Sequence, residues 1–300
     1  MTQSKEFYLG CFFGLALGDA LCAPYEGGIL ERLLWLLIGK TTNGKRRYTD
    51  DTQMSMDVAF SLLKNKEVNQ NDLAQQFAHS YRWSRGYGIG ATKILKRIKK
   101  GASWQEVNRR IFSQGSYGNG AAMRAPIVAL YFNNYPMDSL LTAVKQVSEI
   151  THAHFLAIEG ANLIALAVSD ALAHKKPKIQ PRNVDKTYQI RLNMAQIWLE
   201  SGEDITPKKV SKQLGNGIAA IDSCVTAIYI ASRYLNQDFL VMLDFIKKCG
   251  GDTDTIGAMA GAIWGAYNGI KKIDPLLIEQ LESAPKIHQL AVQIQSQKNF

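Results

Sequence analysis

Gly10, Gly14 and Gly18 recur at four-residue spacing inside the apolar stretch 7–22. The stretch is apolar on most sides and reads as a buried helix. The spacing sets its glycines on one face, where a second helix can pack very closely. Asp19 ends this segment, and a carboxylate there is destabilising unless it is paired or metal-bound. Pro24 then takes the chain out of the helix and presents Tyr25 and Glu26 on a loop.

Two acidic clusters add a second constraint: Tyr48-Thr49-Asp50-Asp51-Thr52 and Gly250-Gly251-Asp252-Thr253-Asp254-Thr255. Each packs two carboxylates among threonine hydroxyls and runs into an apolar helical pattern. Hard cations take oxygen ligands, and a two-metal site needs several carboxylates within a few ångströms. On a regular helix Asp50 and Asp51 diverge by roughly 100°, and Asp252 and Asp254 by roughly 200°. All four can share one site only if both segments are helix entrances. Gly250 and Gly251 permit such an entrance, and the positive end of a helix favours the anions. Capping alone would explain one pair; two leave capping and a shared metal site both open.

The pattern elsewhere is helical. Apolar residues keep a helical period over 52–63, 71–82, 121–132 and 136–151, with a basic amphipathic helix ending at Lys100 and another from Ser103 to Phe112. Residues 152–174 read as a long helix, as do 184–200, 207–214, 218–235, 239–249, 255–267, 275–281 and 287–294. Gly86-Tyr87-Gly88 and Gly115-Ser116-Tyr117-Gly118-Asn119-Gly120 interrupt the series. The second cluster reads either as an interhelical loop or as backbone N–H groups at a helix start, a place for a phosphate. On a helix His152 and His154 face different ways, which argues against paired metal ligation. Residues 175–182, with Pro177 and Pro181, form the clearest loop. No segment alternates with period two, so the expectation is an all-α protein, one domain over 1–300.

The chain has 300 residues, 46% hydrophobic and 20% charged, as in an ordinary soluble domain. Its net charge of +9 suits a polyanion, but the basic residues are scattered and lack interleaved aromatics, so no specific nucleic-acid partner is expected. Cys11, Cys22, Cys224 and Cys249 show neither CxxC pairing nor metal spacing. They read as buried thiols in a reducing compartment. With no signal peptide and no 20-residue apolar run, a cytoplasmic monomer without a membrane span is expected. Residues 29–38, which include Leu33-Leu34-Trp35-Leu36-Leu37-Ile38, read as a buried helix.

Together, Gly18-Asp19-Ala20 with Pro24-Tyr25-Glu26, the Tyr48–Thr52 cluster, and Gly250-Gly251-Asp252-Thr253-Asp254-Thr255-Ile256-Gly257 resemble the ADP-ribosylglycohydrolase family over nearly the whole chain. The resemblance implies a compact orthogonal multi-helix bundle around two divalent cations, Mg²⁺ or Mn²⁺. Its ligands would be Thr49, Asp50, Asp51, Asp252, Asp254 and Thr255. The 115–120 loop, followed by Ala121-Ala122-Met123-Arg124, resembles the part that holds the distal ribose and its phosphate. Gly115, Ser116, Tyr117, Gly118, Asn119, Gly120 and Met123 are thus candidate substrate contacts, and so is His152, within Thr-His-Ala. The loop's form, with Arg85-Gly86-Tyr87-Gly88 upstream, matches the branch cleaving O-linked ADP-ribose: ADP-ribosylserine, ADP-ribose polymer or O-acetyl-ADP-ribose. ADP-ribosylated proteins are therefore implied partners. Two departures concern Glu26. Cys22 stands where glycine is frequent, and the segment 27–48, which often forms a mobile substrate flap, is short.

The implied reaction is hydrolysis at the anomeric carbon of the distal ribose, with an oxocarbenium-like transition state. Glu26 is the candidate for proton transfer, and Asp252 is an alternative for the water's proton. An ADP-ribosylarginine hydrolase, or a non-catalytic relative like the J1 crystallins, are the rival readings within the family. Prenyl-diphosphate chemistry wants DDxxD, and Asp51 is followed by Thr52-Gln53-Met54, so that spacing fails.

Overall fold

The computed structural model describes residues 4–175, 177 and 184–297, so the expected loop at 175–182 lies mostly outside them. The chain opens with α1 (Lys5–Cys22), α2 (Ile29–Ile38), α3 (Asp50–Asn65) and α4 (Gln70–Ser80). It continues through α5 (Ile89–Lys99), α6 (Trp104–Ile111), α7 (Ala125–Tyr131), α8 (Met137–Glu149) and α9 (Phe155–Leu172). Then come α10 (Lys186–Ser201), α11 (Pro207–Gln213), α12 (Cys224–Arg233) and α13 (Phe239–Cys249). The last are α14 (Thr253–Asn268), α15 (Pro275–Glu279) and α16 (Ala284–Gln295). Among the described residues no strand forms, only isolated bridges such as Gly118–Ala219. The fold is all-α, as its periodicity requires.

The glycine stripe of α1 meets a second stripe on α14. A Cβ on Gly10 would lie 2.2 Å from the Gly265 oxygen, one on Gly14 2.1 Å from that of Gly261, and one on Gly18 2.0 Å from that of Gly257. The pairing runs in reverse order, so the two helices are antiparallel and their backbones touch. Such an approach removes side chains between the axes and leaves carbonyl and Cα–H groups in contact. It places the C-terminus of α1, with Asp19, beside the N-terminus of α14, with Asp252 and Asp254. Side chains from α1, α3, α7, α9, α12 and α14 pack around this pair as one continuous apolar core.

Several helices start later than their periodicity suggests. Residues 119–124 form a 3-10 turn before α7, whose first turn takes Pro126 without losing a hydrogen bond. α9 begins at Phe155, capped by His154, and α12 begins at Cys224 after a 3-10 turn, Ala220–Asp222. In each case the missing turn is drawn into contacts with the 115–120 loop.

The helix over 29–38 forms but is not buried. Ile29, Leu33, Leu34, Leu36 and Leu37 are exposed, Leu37 at 82%. The helix packs beside the Ala23–Tyr25 turn, and among the described residues no second layer lies over its outer face. Apolar content alone therefore misjudged its burial. By length and composition α1 and α9 are apolar enough to cross a membrane, but each lies more than half buried inside the protein. The cysteines are all buried and free, as expected.

Gly14→Ala would drive a methyl group into a backbone oxygen 2.1 Å away. Such overpacking is expected to destabilise the protein by about 1–3 kcal/mol or more. Gly88 has ordinary φ and nothing within 4 Å of a built Cβ, so Gly88→Ala should change stability by less than about 0.5 kcal/mol. Urea denaturation of the two variants checks the contrast, and equal midpoints would contradict the close contact.

Candidate active site

Two helix entrances converge at the end of the glycine pair. Thr49 caps α3: its hydroxyl accepts from the Asp51 amide at 3.3 Å and donates to Asp51 Oδ2 at 2.9 Å. Asp252 occupies the capping position of α14, with Asp254 in the first turn. Gly250 and Gly251 adopt φ of +68° and +76°, and a Cβ on Gly251 would lie 2.1 Å from the Asn216 oxygen. Only glycine fits that combination. The Asn216 oxygen also accepts from the Asp252 amide at 2.8 Å. Thr255 Oγ1 reaches across to Asp51 Oδ2 at 3.4 Å, joining the two clusters.

Asp19 ties α1 to this centre. Its carboxylate accepts from the Thr49 amide at 2.9 Å, the Thr52 amide at 3.1 Å and the Thr52 hydroxyl at 2.5 Å. It thereby anchors the α3 N-terminus to the glycine-paired helix. The Tyr48 end is held from behind by Arg85, which donates to the Tyr48 oxygen at 2.7 Å and forks onto Glu282 at 2.8 Å.

Glu26 follows the Ala23–Tyr25 turn, and its neighbour Gly27 donates to the Gly251 oxygen at 3.3 Å. Carboxylate oxygens of Glu26, Asp252 and Asp254 lie within 4.8 Å of one another, with Glu26 only half-buried. Cys22 does not disturb this turn. It is fully buried, packs against Gly257, and its oxygen accepts from Thr253 at 2.9 Å.

The acids are raised above the usual carboxylate range, Asp50, Asp51 and Asp254 well above it. Burial is the main cause for Asp50, Asp51 and Asp254, followed by the charges of neighbouring acids. Asp252 is raised by burial against the hydrogen bond from Asn119. Burial brings Asp19 up to about 6 against the bonds from Thr52 and Thr49. Asp51 Oδ1 is buried without a partner. Clustered carboxylates and hydroxyls with an orphaned oxygen are the donor set a hard divalent cation takes, so the residues present fit such an ion.

The 115–120 loop forms the facing wall. Gly115 has φ of +82°, with its Cα close to the backbone of Ala153 and His154. The amides of Gly115, Gly118 and Asn119 donate within the protein, to Phe112 O, Ser116 Oγ and Ile218 O. The run therefore offers fewer free N–H groups than a phosphate cradle would, because a turn onto Phe112, the Ser116 hydroxyl and the Gly118–Ala219 bridge use them. Asn119 links the wall to the acids, donating to Asp252 Oδ2 and, at 3.0 Å, to Ser223 Oγ. Tyr117 is exposed, its ring edge-on to His154 at 6.0 Å. Met123 is buried. His152 lies against Gly118 and Gly120, whereas His154 caps α9.

Of the sequence-derived candidates, Thr49, Asp51 and Thr255 are joined by hydrogen bonds, Glu26 converges with Asp252 and Asp254, Asn119 bonds to Asp252, and His152 lies against Gly118 and Gly120. Asn216 and Ser223 escaped sequence reading; nothing local distinguishes them, because each acts on a residue far away in the chain.

An all-α scaffold with acids at two helix entrances, a half-buried glutamate and a glycine-rich wall defines a class of hydrolytic centre. The model of the ADP-ribosylglycohydrolase family matches residues 1–299, and the chain belongs to that family. It is 30% identical to "ADP-ribosylhydrolase ARH3" of Xenopus tropicalis, covering 91% of this chain and 90% of that protein. It is 31% identical to "ADP-ribosylhydrolase ARH3" of Gallus gallus, covering 95% and 91%. A solved structure titled "ADP-ribosylglycohydrolase-related protein complex" superposes with TM-score 0.65 over 98% of each chain at 23% identity, and shares the fold.

Native Asp19 keeps a proton up to pH about 6, whereas the unfolded chain releases it near pH 4. In chelator, stability should therefore fall as pH rises from about 4 through 6. Mg²⁺ or Mn²⁺ should restore stability at pH 7. Urea melts at pH 5 and pH 7, with and without metal, test this; chelated protein that is no weaker at pH 7 and indifferent to metal contradicts it.

Proposed function

We propose that the protein hydrolyses ADP-ribosylated substrates at the anomeric carbon of the distal ribose, with O-linked substrates preferred. The observation carrying this reading is the convergence of Glu26 with Asp252 and Asp254 within 4.8 Å, beside the loop that Asn119 ties to Asp252. The relatives' name, ADP-ribosylhydrolase, supports the reaction class. The Gly-Ser-Tyr-Gly-Asn-Gly form of the loop supports the O-linked preference.

Thr49, Asp50, Asp51, Asp252, Asp254 and Thr255 would hold two Mg²⁺ or Mn²⁺ ions. Bound there, the cations would supply positive charge to the ribose hydroxyls and the attacking water. The protein's own groups do the rest. Asn119 orients the Asp252 carboxylate, and the 115–120 wall holds the distal ribose and its adjacent phosphate against the acids, with side chains supplementing the few backbone N–H groups that remain free. Glu26 is half-buried beside the acids and is not among the proposed ligands. It moves the proton that the leaving group gains or the water loses, and Asp252 can take the water's proton in its place.

Glu26→Gln should leave metal binding and ADP-ribose affinity intact while turnover falls about 10²-fold or more. Single-turnover rates beside ADP-ribose calorimetry separate the outcomes: an unchanged rate assigns Glu26 to packing, and joint loss of metal, ligand and rate assigns it to ligation. Asp254→Ala should lose metal binding and turnover together.

A substrate panel tests the preference. ADP-ribose should be released faster from ADP-ribosylserine, ADP-ribose polymer or O-acetyl-ADP-ribose than from ADP-ribosylarginine. A clear arginine preference reverses it, and no release from any of them points to a non-catalytic relative.

A further inference from the structure

Arg124, Thr151 and His152 form a hydrogen-bonded chain behind the glycine wall. The Arg124 side chain is fully buried. Its guanidinium donates to the oxygens of Gly120 and Val147 and, at 2.8 Å, to the Thr151 hydroxyl. Arginine can only donate, so the Thr151 oxygen accepts in this contact. Thr151 is itself buried. Among the hydrogen bonds of the described residues its own proton has one acceptor, His152 Nδ1 at 2.8 Å. The reverse bond, from an Nδ1–H to the hydroxyl, would strand the threonine proton without an acceptor, and buried groups are rarely left so.

Nδ1 is therefore bare, and a neutral imidazole then carries its proton on Nε2. That nitrogen faces the glycine turn: a Cβ on Gly118 would lie 3.2 Å from it and one on Gly120 2.9 Å. Glycine at both positions leaves the Nε2 edge uncovered. Burial, with the Arg124 charge behind it, pushes the His152 pKa down to about 3, so the ring stays neutral near pH 7.

We propose that Arg124 and Thr151 are positioning residues that fix His152 as an Nε2–H donor, aimed across the 118–120 turn at an acceptor oxygen of the bound ligand. The lone pair on Nδ1 is occupied by Thr151, so His152 donates a hydrogen bond and does not act as a general base. The ligand oxygen would be a phosphate or ribose oxygen of an ADP-ribosyl group; that identity rests on the function proposed above, whereas the tautomer does not.

Nitrogen NMR of ¹⁵N-histidine-labelled protein, free of ligand, reads the tautomer directly. Wild type should show Nε2–H, and Thr151→Ser should keep it. Thr151→Val has the same shape without the hydroxyl and should admit the Nδ1–H form. It should also weaken ADP-ribose binding by about fivefold to tenfold, the loss of one well-placed neutral hydrogen bond, with the effect on KM rather than kcat. A side chain that only filled space would leave the tautomer unchanged on going to valine. Nδ1–H in the wild type, or a valine variant with the wild-type tautomer, overturns the proposal. If Thr151→Val does not fold, the wild-type and serine spectra still decide it. Nε2–H in a wild type that fails to bind ADP-ribose upholds the relay and removes the ADP-ribosyl reading instead.

Discussion

The backbone contact between α1 and α14 is the constraint on which the rest of the structure depends. Its glycine pairs, 10 with 265, 14 with 261 and 18 with 257, fix the translation of one helix along the other. A register change would bring a side chain into a gap where even a methyl group does not fit. The contact therefore sets the level at which the α14 entrance meets the α1 exit, and Asp19 carries that level over to α3. Three helix ends are thus located by one packing event and one carboxylate.

That location is electrostatically unfavourable in the absence of a cation. Burial, more than mutual repulsion, is the leading cause of the raised carboxylate pKa values. The helix entrances offset part of this, because unsatisfied amides present positive charge to the acids. Hydroxyls of Thr49, Thr52 and Thr255 offset another part by donating to carboxylates. What remains is a pocket of oxygen donors whose repulsion a divalent cation relieves, so ion binding and stability are linked. The same features that weaken the folded acids preorganise them.

Much of the centre was legible because its signals are local. Two acids beside a threonine, before an apolar period, mark a helix entrance wherever they occur, and both entrances form there. The stripe of Gly10, Gly14 and Gly18 announces a close contact but carries no information about its partner stripe at Gly257, Gly261 and Gly265. Burial of α2 was misjudged because hydropathy reports what a side chain prefers, and the absence of a covering layer is a property of the whole fold. The starts of α9 and α12 were placed too early for a related reason. Residues 152–154 and 218–223 have helical neighbours, but tertiary bonds to the 115–120 loop hold their backbone groups. Asn216 and Ser223 were invisible because polar residues acquire such roles only through the contact itself.

The site divides into a floor and a rim that obey different rules. The floor consists of Asp19, Thr49, Asp51, Thr52, Asp252, Asp254 and Thr255, all buried; hydrogen bonds of 2.5–3.4 Å link Asp19 to Thr49 and Thr52, and Asp51 to Thr49 and Thr255, while Asn119 holds Asp252. Around it Tyr25, Tyr117, Phe155 and Ile218 are exposed, with Tyr117 at 60% and Ile218 at 73%. A floor residue is constrained from several sides, so substitution there disturbs packing, charge and hydrogen bonding at once. A rim residue is constrained chiefly by what it touches outside the chain. Chemistry that must be held to tenths of an ångström belongs on the floor. Apolar rims over a polar floor also exclude water as a ligand enters, which strengthens every interaction beneath them. This explains why the motifs of the chain concentrate on the floor.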